Sequence, residues 1–233
     1  MQMAATFSYI LLVYVHLLLF VLWLGTDVGV FMLGQHFRKR TVYTLDQRIA
    51  LLKLLAIVDL TPRMAWALMV PVSLTLSDLG GWWEVPDPLV RASWFVGAVW
   101  VWLVLDSHNH DMTPRAARNR RWESWLRWIL CAFYLALGFT SLVTGNPIRP
   151  DWLAAKALMF GLIFALAIII DISFKPVGGL LAKLLTEGSS DDTEIPLLRA
   201  MNRARIWVWG VYILLLAAAW LGLAGPRGVT GLV

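Results

Sequence analysis

Residues 6–34 read TFSYILLVYVHLLLFVLWLGTDVGVFMLG, a continuous apolar run that decides how this chain folds. A helix of about 20 apolar residues is enough to cross a lipid bilayer, so this run is long enough to span one. Only two of its side chains, His16 and Asp27, can carry a charge near neutral pH. The sequence therefore predicts a membrane span that holds two ionisable residues.

One face of this helix collects its chemically active side chains. At about 100° per residue, four of them fall within about 40° of one line along the helix: His16, Phe20, Trp23 and Asp27. Gly25 and Gly29 form a GxxxG pair on roughly the opposite face, where a neighbouring helix could approach closely. We expect the first face to line a functional site and the second to pack against another helix.

The composition of the whole chain is that of a membrane protein. Of its 233 residues, 59% are hydrophobic and 15% are charged, whereas soluble domains average about 25% charged residues. The apolar runs are continuous rather than alternating, which favours helices over a transmembrane barrel. The single Cys131 excludes an intramolecular disulfide, and the chain has no CxxC or CxxCH motif.

Charge-poor runs predict an all-α bundle of six transmembrane helices in one domain over residues 1–233. The predicted spans are 6–34, 51–77, 89–106, 123–145, 152–173 and 204–224. The loops after the first, third and fifth spans are rich in Lys and Arg, which places them in the cytoplasm and both termini outside. We expect a multi-pass protein of the bacterial inner membrane, with a mobile cytoplasmic loop over residues 174–203. The formal charge of +5 reflects this topology and not nucleic-acid binding.

The second predicted span contains charged residues near a proline. Asp59 and Arg63 are four residues apart and can form an ion pair within the helix. Pro62 removes a backbone hydrogen bond there and predicts a kink. A buried arginine faces protein, water or an anion, because it costs at least about 2.5–3.5 kcal/mol at the centre of a span. We place Arg63 near mid-membrane, where it could reach His16 or Asp27, and a charge network with a purely structural role is the alternative.

The fifth span carries Lys156 about one turn inside its outer boundary. Its long side chain could approach His16 in a polar cavity lined by spans one, two and five, or it could extend to the outer headgroups. In this topology His36, His108 and His110 lie near the cytoplasmic side, too far from His16 to share one haem with it. Whether these three form a cytoplasmic site is left open. Imidazole binds both haem iron and copper, so His16 is a candidate ligand for either, or a residue that only holds the bundle together.

Two short motifs resemble the CopD/HemJ-like group of membrane proteins. The first is His16-x6-Trp23-x-Gly25, and the second is Trp152-x3-Lys156 at the start of a long apolar helix. HemJ proteins are haem-containing protoporphyrinogen oxidases that depend on such a His and Lys, and CopD proteins are linked to copper uptake. The resemblance implies a b-type haem near these residues, a porphyrinogen as substrate and a quinone as electron acceptor.

Our leading hypothesis from the sequence is therefore a membrane oxidoreductase that binds haem b, with His16 as an axial ligand and Trp23 in the lining. Arg63 and Lys156 are candidate partners of the haem propionates, and Lys156 is also a candidate second ligand. Asp27 and Asp59 are candidate proton carriers. Two alternatives stay open: a permease for copper or a small anion, and an accessory subunit or assembly factor of a larger membrane complex. The sequence leaves open whether the chain forms a homo-oligomer.

Overall fold

The structure, a computed structural model, describes residues 2–225, and for residues 2–6 it describes the backbone alone. Within this range the chain forms seven α-helices and no strand. They are α1 (Gln2–Phe37), α2 (Leu45–Val58), α3 (Leu60–Leu79), α4 (Asp87–Asn109), α5 (Pro114–Thr144), α6 (Asp151–Glu187) and α7 (Asp191–Ala224). The all-α prediction is confirmed. Residue 1 and residues 226–233 of the predicted domain lie outside the described residues.

Six segments are long and apolar enough to cross a membrane, which confirms the predicted number of spans. Five of them are α1, α4, α5, α6 and α7, and the sixth is Leu45–Leu79, which comprises α2 and α3. Many large apolar side chains are exposed on these helices, as expected where a helix contacts lipid. The chain is thus a multi-pass membrane protein that lies in a lipid bilayer. The placement of both termini outside stays a prediction.

The described residues divide into two compact units. The first contains the chain up to Phe37 together with Ala50–Leu126. The second contains Arg38–Ile49 and the described residues from Arg127 onward. The single domain expected from the sequence stays a prediction, and each unit is described by itself.

In the first unit, α3 packs against both α1 and α4. Its middle section is almost entirely buried, and α4 approaches it most closely at Gly97, where an added Cβ would lie 3.0 Å from the Pro71 ring. The helix is interrupted at Asp59, because α2 ends at Val58 and α3 begins at Leu60. The break lies one turn before Pro62, which has no N–H to donate to the carbonyl of Val58. The predicted kink at this point stays a prediction.

In the second unit, α6 and α7 form a long packed pair. The prediction of a mobile loop over residues 174–203 is wrong, because only residues 188–190 separate the two helices. Fully buried Leu184 and Leu197 hold the paired ends together, and a reciprocal capping box of Ser190 and Thr193 starts α7. The 37 residues of α6 extend about 55 Å, well beyond a hydrocarbon core of about 30 Å.

Close helix packing occurs at glycines other than the GxxxG pair of α1. No described atom lies within 4 Å of a Cβ added at Gly25, and the nearest atom at Gly29 is 3.9 Å away. In the second unit, a Cβ at Gly138 of α5 would overlap the Leu158 backbone of α6. Conversely, a Cβ at Gly161 of α6 would lie 2.7 Å from the backbone nitrogen of Leu135. The close approach predicted for α1 therefore occurs between α5 and α6 instead.

Candidate functional site

Three tryptophans from three helices form a stack inside the first unit. The ring centroids of Trp23 and Trp66 are 5.5 Å apart, with an interplanar angle of 23°. Those of Trp66 and Trp100 are 5.2 Å apart and tilted by 59°. All three side chains are buried. Such aromatic pairs each contribute about 0.5–1.5 kcal/mol beyond the area they bury, so this tryptophan stack fixes the relative position of α1, α3 and α4.

The stack ends on a buried charge that the sequence reading missed. The Trp100 Nε1–H donates to Glu123 Oε1 at 3.3 Å, and the Glu123 side chain is 2% exposed. Arg63 donates to both oxygens of the same carboxylate, at 2.9 and 2.7 Å. The second nitrogen of its guanidinium lies 3.7 Å from Asp59, so the predicted pair of Asp59 and Arg63 is present. We call Asp59, Arg63 and Glu123 the Arg63 cluster.

The Arg63 cluster carries two carboxylates and one guanidinium, a formal charge of −1 when all three groups are ionised. Glu123 lies in a stretch still rich in charge, between Arg121 and Arg127, so Arg63 pairs with the charged end of α5. The placement of Arg63 near mid-membrane stays a prediction. One signal in the sequence does mark Glu123, because it is the only acidic residue among the arginines of residues 114–128.

His16 faces the interior of the first unit. It lies within about 60° of Leu19 and Trp23, two of the buried residues of its helix, and it is itself half-buried with its Nδ1 shielded from solvent. Tyr9 contacts Trp82 at a centroid distance of 6.3 Å. Because His16 is midway between Tyr9 and Trp23 along α1, it lies level with the midpoint of Trp66 and Trp82, near Leu74 of α3.

Two small hydroxyl side chains, on α3 and α4, are hydrogen-bonded within their own helices. Ser73 donates to the carbonyl of Val70 at 3.1 Å, and Ser93 donates to the carbonyl of Val90 at 2.7 Å. Arg63 lies about 15 Å from the level of His16 along the helix axes, counted as seven residues along α1 and three along α3. The tryptophan stack lies between these two levels.

Asp27 follows Trp23 by one turn and is half-buried on the same face of α1. His16, Trp23, Asp27 and the Arg63 cluster thus all belong to the first unit. Lys156 belongs to the second unit, on α6. Its predicted approach to His16 stays a prediction.

Lys156 packs against α7 within the second unit. The Lys156 Nζ is 6.0 Å from the centroid of the Trp152 ring. A Cβ added at Gly222 of α7 would lie 2.7 Å from the same Nζ. Among the described residues no carboxylate lies within 4 Å of this ammonium group. Trp152 itself fills the space at Gly225. The Trp152-x3-Lys156 motif therefore forms a contact between α6 and α7.

A second buried ion pair was also missed, in the second unit. Residue 48 falls in the loop predicted between the first two spans, but Arg48 lies in the first turn of α2. Its side chain is buried against Glu194 of α7, and its Nη2 donates to Glu194 Oε2 at 2.8 Å. The Ser189 hydroxyl donates to the same carboxylate at 2.7 Å. Arg40 adds an exposed pair with Asp191 at 2.6 Å. These contacts attach Arg38–Ile49 to the start of α7.

Of the two histidines at the end of α4, His108 lies in the last turn of the helix and His110 directly follows it. His110 Nδ1 lies 3.0 Å from the carbonyl oxygen of Asp106, and the buried Asp106 carboxylate accepts from Arg115 at 2.7 Å and Asn119 at 2.6 Å. Nearby, the Arg120 guanidinium holds the pKa of the Asp111 carboxyl below its usual value. In the part of the chain that the structure describes, no group of three or more His, Cys, Asp or Glu side chains could hold a metal ion.

Comparisons with protein-family models, curated proteins and solved structures found no match to this chain. The described part of the first unit thus brings together a half-buried imidazole on the interior face of α1, a stack of three tryptophans, and the Arg63 cluster at the end of that stack.

Proposed function

We propose that this protein is an integral membrane haem b protein with a redox function, and that His16 is an axial ligand of the haem iron. The observation that carries the proposal is the position of His16 on the interior face of α1, in line with Trp23 of the tryptophan stack. Ionisable residues inside membranes are rare and usually functional, and imidazole is a common haem ligand. The resemblance to CopD/HemJ-like proteins supports the same residue.

Aromatic side chains near His16 support this proposal. Trp23 and Trp66 offer a stacked aromatic surface about two turns along the helices from His16. A bound haem supplies one-electron transfer at its iron. The protein's own part is to orient the imidazole and to separate it from water by means of the buried stack.

The charged residues then have separate roles in this proposal. Arg63 is engaged by Glu123 and Asp59, which supports a role in balancing charge more than one in binding a propionate. Asp27 and Asp59 are half-buried near the inner end, where they could pass protons toward the site. A porphyrinogen as substrate and a quinone as electron acceptor are the substrate classes that the resemblance adds. The bacterial inner membrane is the proposed location.

Haem content tests this proposal. The chain would be expressed with ample haem, purified in detergent, and assayed for haem per polypeptide as the pyridine haemochrome. We expect about one haem in the wild type, little in His16→Ala, and full content in the control His36→Ala on the same helix. Circular dichroism would establish that each variant is folded. Wild-type protein without haem, or folded His16→Ala that retains it, would refute the assignment.

A small-cation permease is the second candidate, and the Arg63 cluster favours it. The cluster sits at the interruption between α2 and α3, and its formal charge of −1 attracts a cation such as copper more than an anion. This candidate predicts that vesicles containing the protein take up copper(I) without any chromophore. Glu123→Gln should then abolish uptake while His16→Ala leaves the visible spectrum unchanged.

A further inference from the structure

Helix α5 begins with four arginines within residues 115–121. Two of them, Arg118 and Arg121, have no acidic partner in the part of the chain that the structure describes. Both side chains are exposed, and among the described residues neither has a carboxylate within 4 Å. The other two arginines pair with acidic side chains, Arg115 with Asp106 and Arg120 with Asp111. Two positive charges at this end of the helix are therefore left uncompensated.

These two arginines share one face of α5 with exposed aromatic rings. At about 100° per residue, Arg118, Arg121 and two tryptophans fall within an arc of about 100°. The tryptophans, Trp122 and Trp125, are 62% and 61% exposed. The opposite face is the one that packs inside the first unit, and its buried residues are Ala116, Asn119 and Glu123. The exposed face thus points away from the protein.

Tryptophan prefers the level of the membrane interface, where its ring is shielded and its N–H reaches water. Arg118 precedes Trp122 by four residues, which places it about 6 Å further toward the aqueous side. Phosphate groups of lipids lie on that side of the interface. Arg118 and Arg121 are three residues apart, so both guanidinium groups can reach one headgroup.

We propose that Arg118, Arg121, Trp122 and Trp125 form a binding site for the phosphate-bearing headgroup of an anionic phospholipid. The two guanidinium groups donate to the phosphate, and the two indole rings pack on the upper part of the acyl chains. Arg115 and Arg120 are already paired with acidic side chains. Arg118 and Arg121 are therefore the residues that favour an anionic lipid over a neutral one.

Native mass spectrometry of the full-length protein in detergent tests the site, with phosphatidylglycerol and phosphatidylcholine as probes. Each arginine near an anionic lipid surface contributes about fivefold in affinity, which corresponds to about 1 kcal/mol. We therefore expect Arg118→Gln/Arg121→Gln to weaken phosphatidylglycerol binding about 25-fold and to leave phosphatidylcholine binding unchanged. Arg118→Lys/Arg121→Lys should retain most of the affinity.

Arg120→Gln is the matched control, because it removes one charge from the same segment but from an arginine already paired with Asp111. It should weaken phosphatidylglycerol binding less than twofold. Equal loss in Arg120→Gln and in the double variant would refute a defined site. Unchanged phosphatidylglycerol binding in a folded double variant would also refute the site. A change in the oligomeric state of the double variant, measured by light scattering, would refute it too, because it would show that this face binds a second copy of the chain.

Discussion

Replacing Glu123 and Arg63 should show how much the Arg63 cluster contributes to the free energy of unfolding. Glu123 is 2% exposed, whereas Arg63 is 33% exposed and keeps Asp59 at 3.7 Å if Glu123 is lost. Removing one partner of a buried pair costs about 3–5 kcal/mol, because the other charge is left without compensation. Arg63→Met leaves the buried Glu123 carboxylate without a cation and should lower the free energy of unfolding by that full amount. Glu123→Gln leaves a guanidinium that is partly hydrated, so it should lower the free energy of unfolding by only about 2 kcal/mol.

The double variant Arg63→Met/Glu123→Gln should cost about 2 kcal/mol, far less than the sum of the single changes. Its glutamine can still accept the Trp100 N–H, and no buried charge remains. The free energy of unfolding would be measured by titration with sodium dodecyl sulfate in mixed micelles, followed by circular dichroism. Asp59→Asn is the control and should cost less than about 1 kcal/mol. Additive costs, or a larger cost for Glu123→Gln than for Arg63→Met, would refute this account of the cluster.

Two further predictions concern the second unit, and each has its own control. Gly161→Ala should destabilise the protein by about 2–3 kcal/mol, because the added Cβ overlaps the Leu135 backbone. Gly178→Ala on the same helix places its Cβ in open space and should be neutral or stabilising. Thermal unfolding in detergent would check both variants, and equal effects would contradict the close packing at Gly161. Arg48→Met should cost about 3–5 kcal/mol because it leaves buried charge behind, whereas exposed Arg40→Gln should cost less than about 1 kcal/mol. Similar costs for these two arginines would contradict the burial of Arg48.

Local features of the sequence were enough to predict the spans and the interruption in the second one. Span positions follow from runs of apolar residues, and the effect of Pro62 acts within one helical turn. The Asp59 and Arg63 pair is equally local, since the two residues are four apart. Each of these predictions depends on neighbours along the chain and needs no knowledge of how the helices pack.

The missed features all depend on pairing between distant residues. Arg63 and Glu123 are 60 residues apart, and Arg48 and Glu194 are 146 apart. Nothing in the local sequence shows which carboxylate a given arginine will meet, so neither of these two pairs was predicted. Buried charge pairs of this kind become visible only once the helices are packed.

The extra length of α6 and α7 was missed for a different physical reason. A span is recognised by the absence of charge, and residues 174–203 contain many charged side chains. Beyond the bilayer a helix can continue when part of its surface is buried against a partner, as Leu184 and Leu197 are here. The sequence also does not show which glycine allows two helices to pack closely. Gly25 and Gly161 both lie in apolar helical runs, but of these two only Gly161 contacts the backbone of another helix.

The proposal that His16 binds haem is tested most directly by the visible absorption spectrum of the purified wild-type protein, recorded oxidised and then reduced with dithionite. The account predicts a Soret band that shifts on reduction, together with sharpened α and β bands. A featureless spectrum from folded protein, expressed with ample haem, would contradict it.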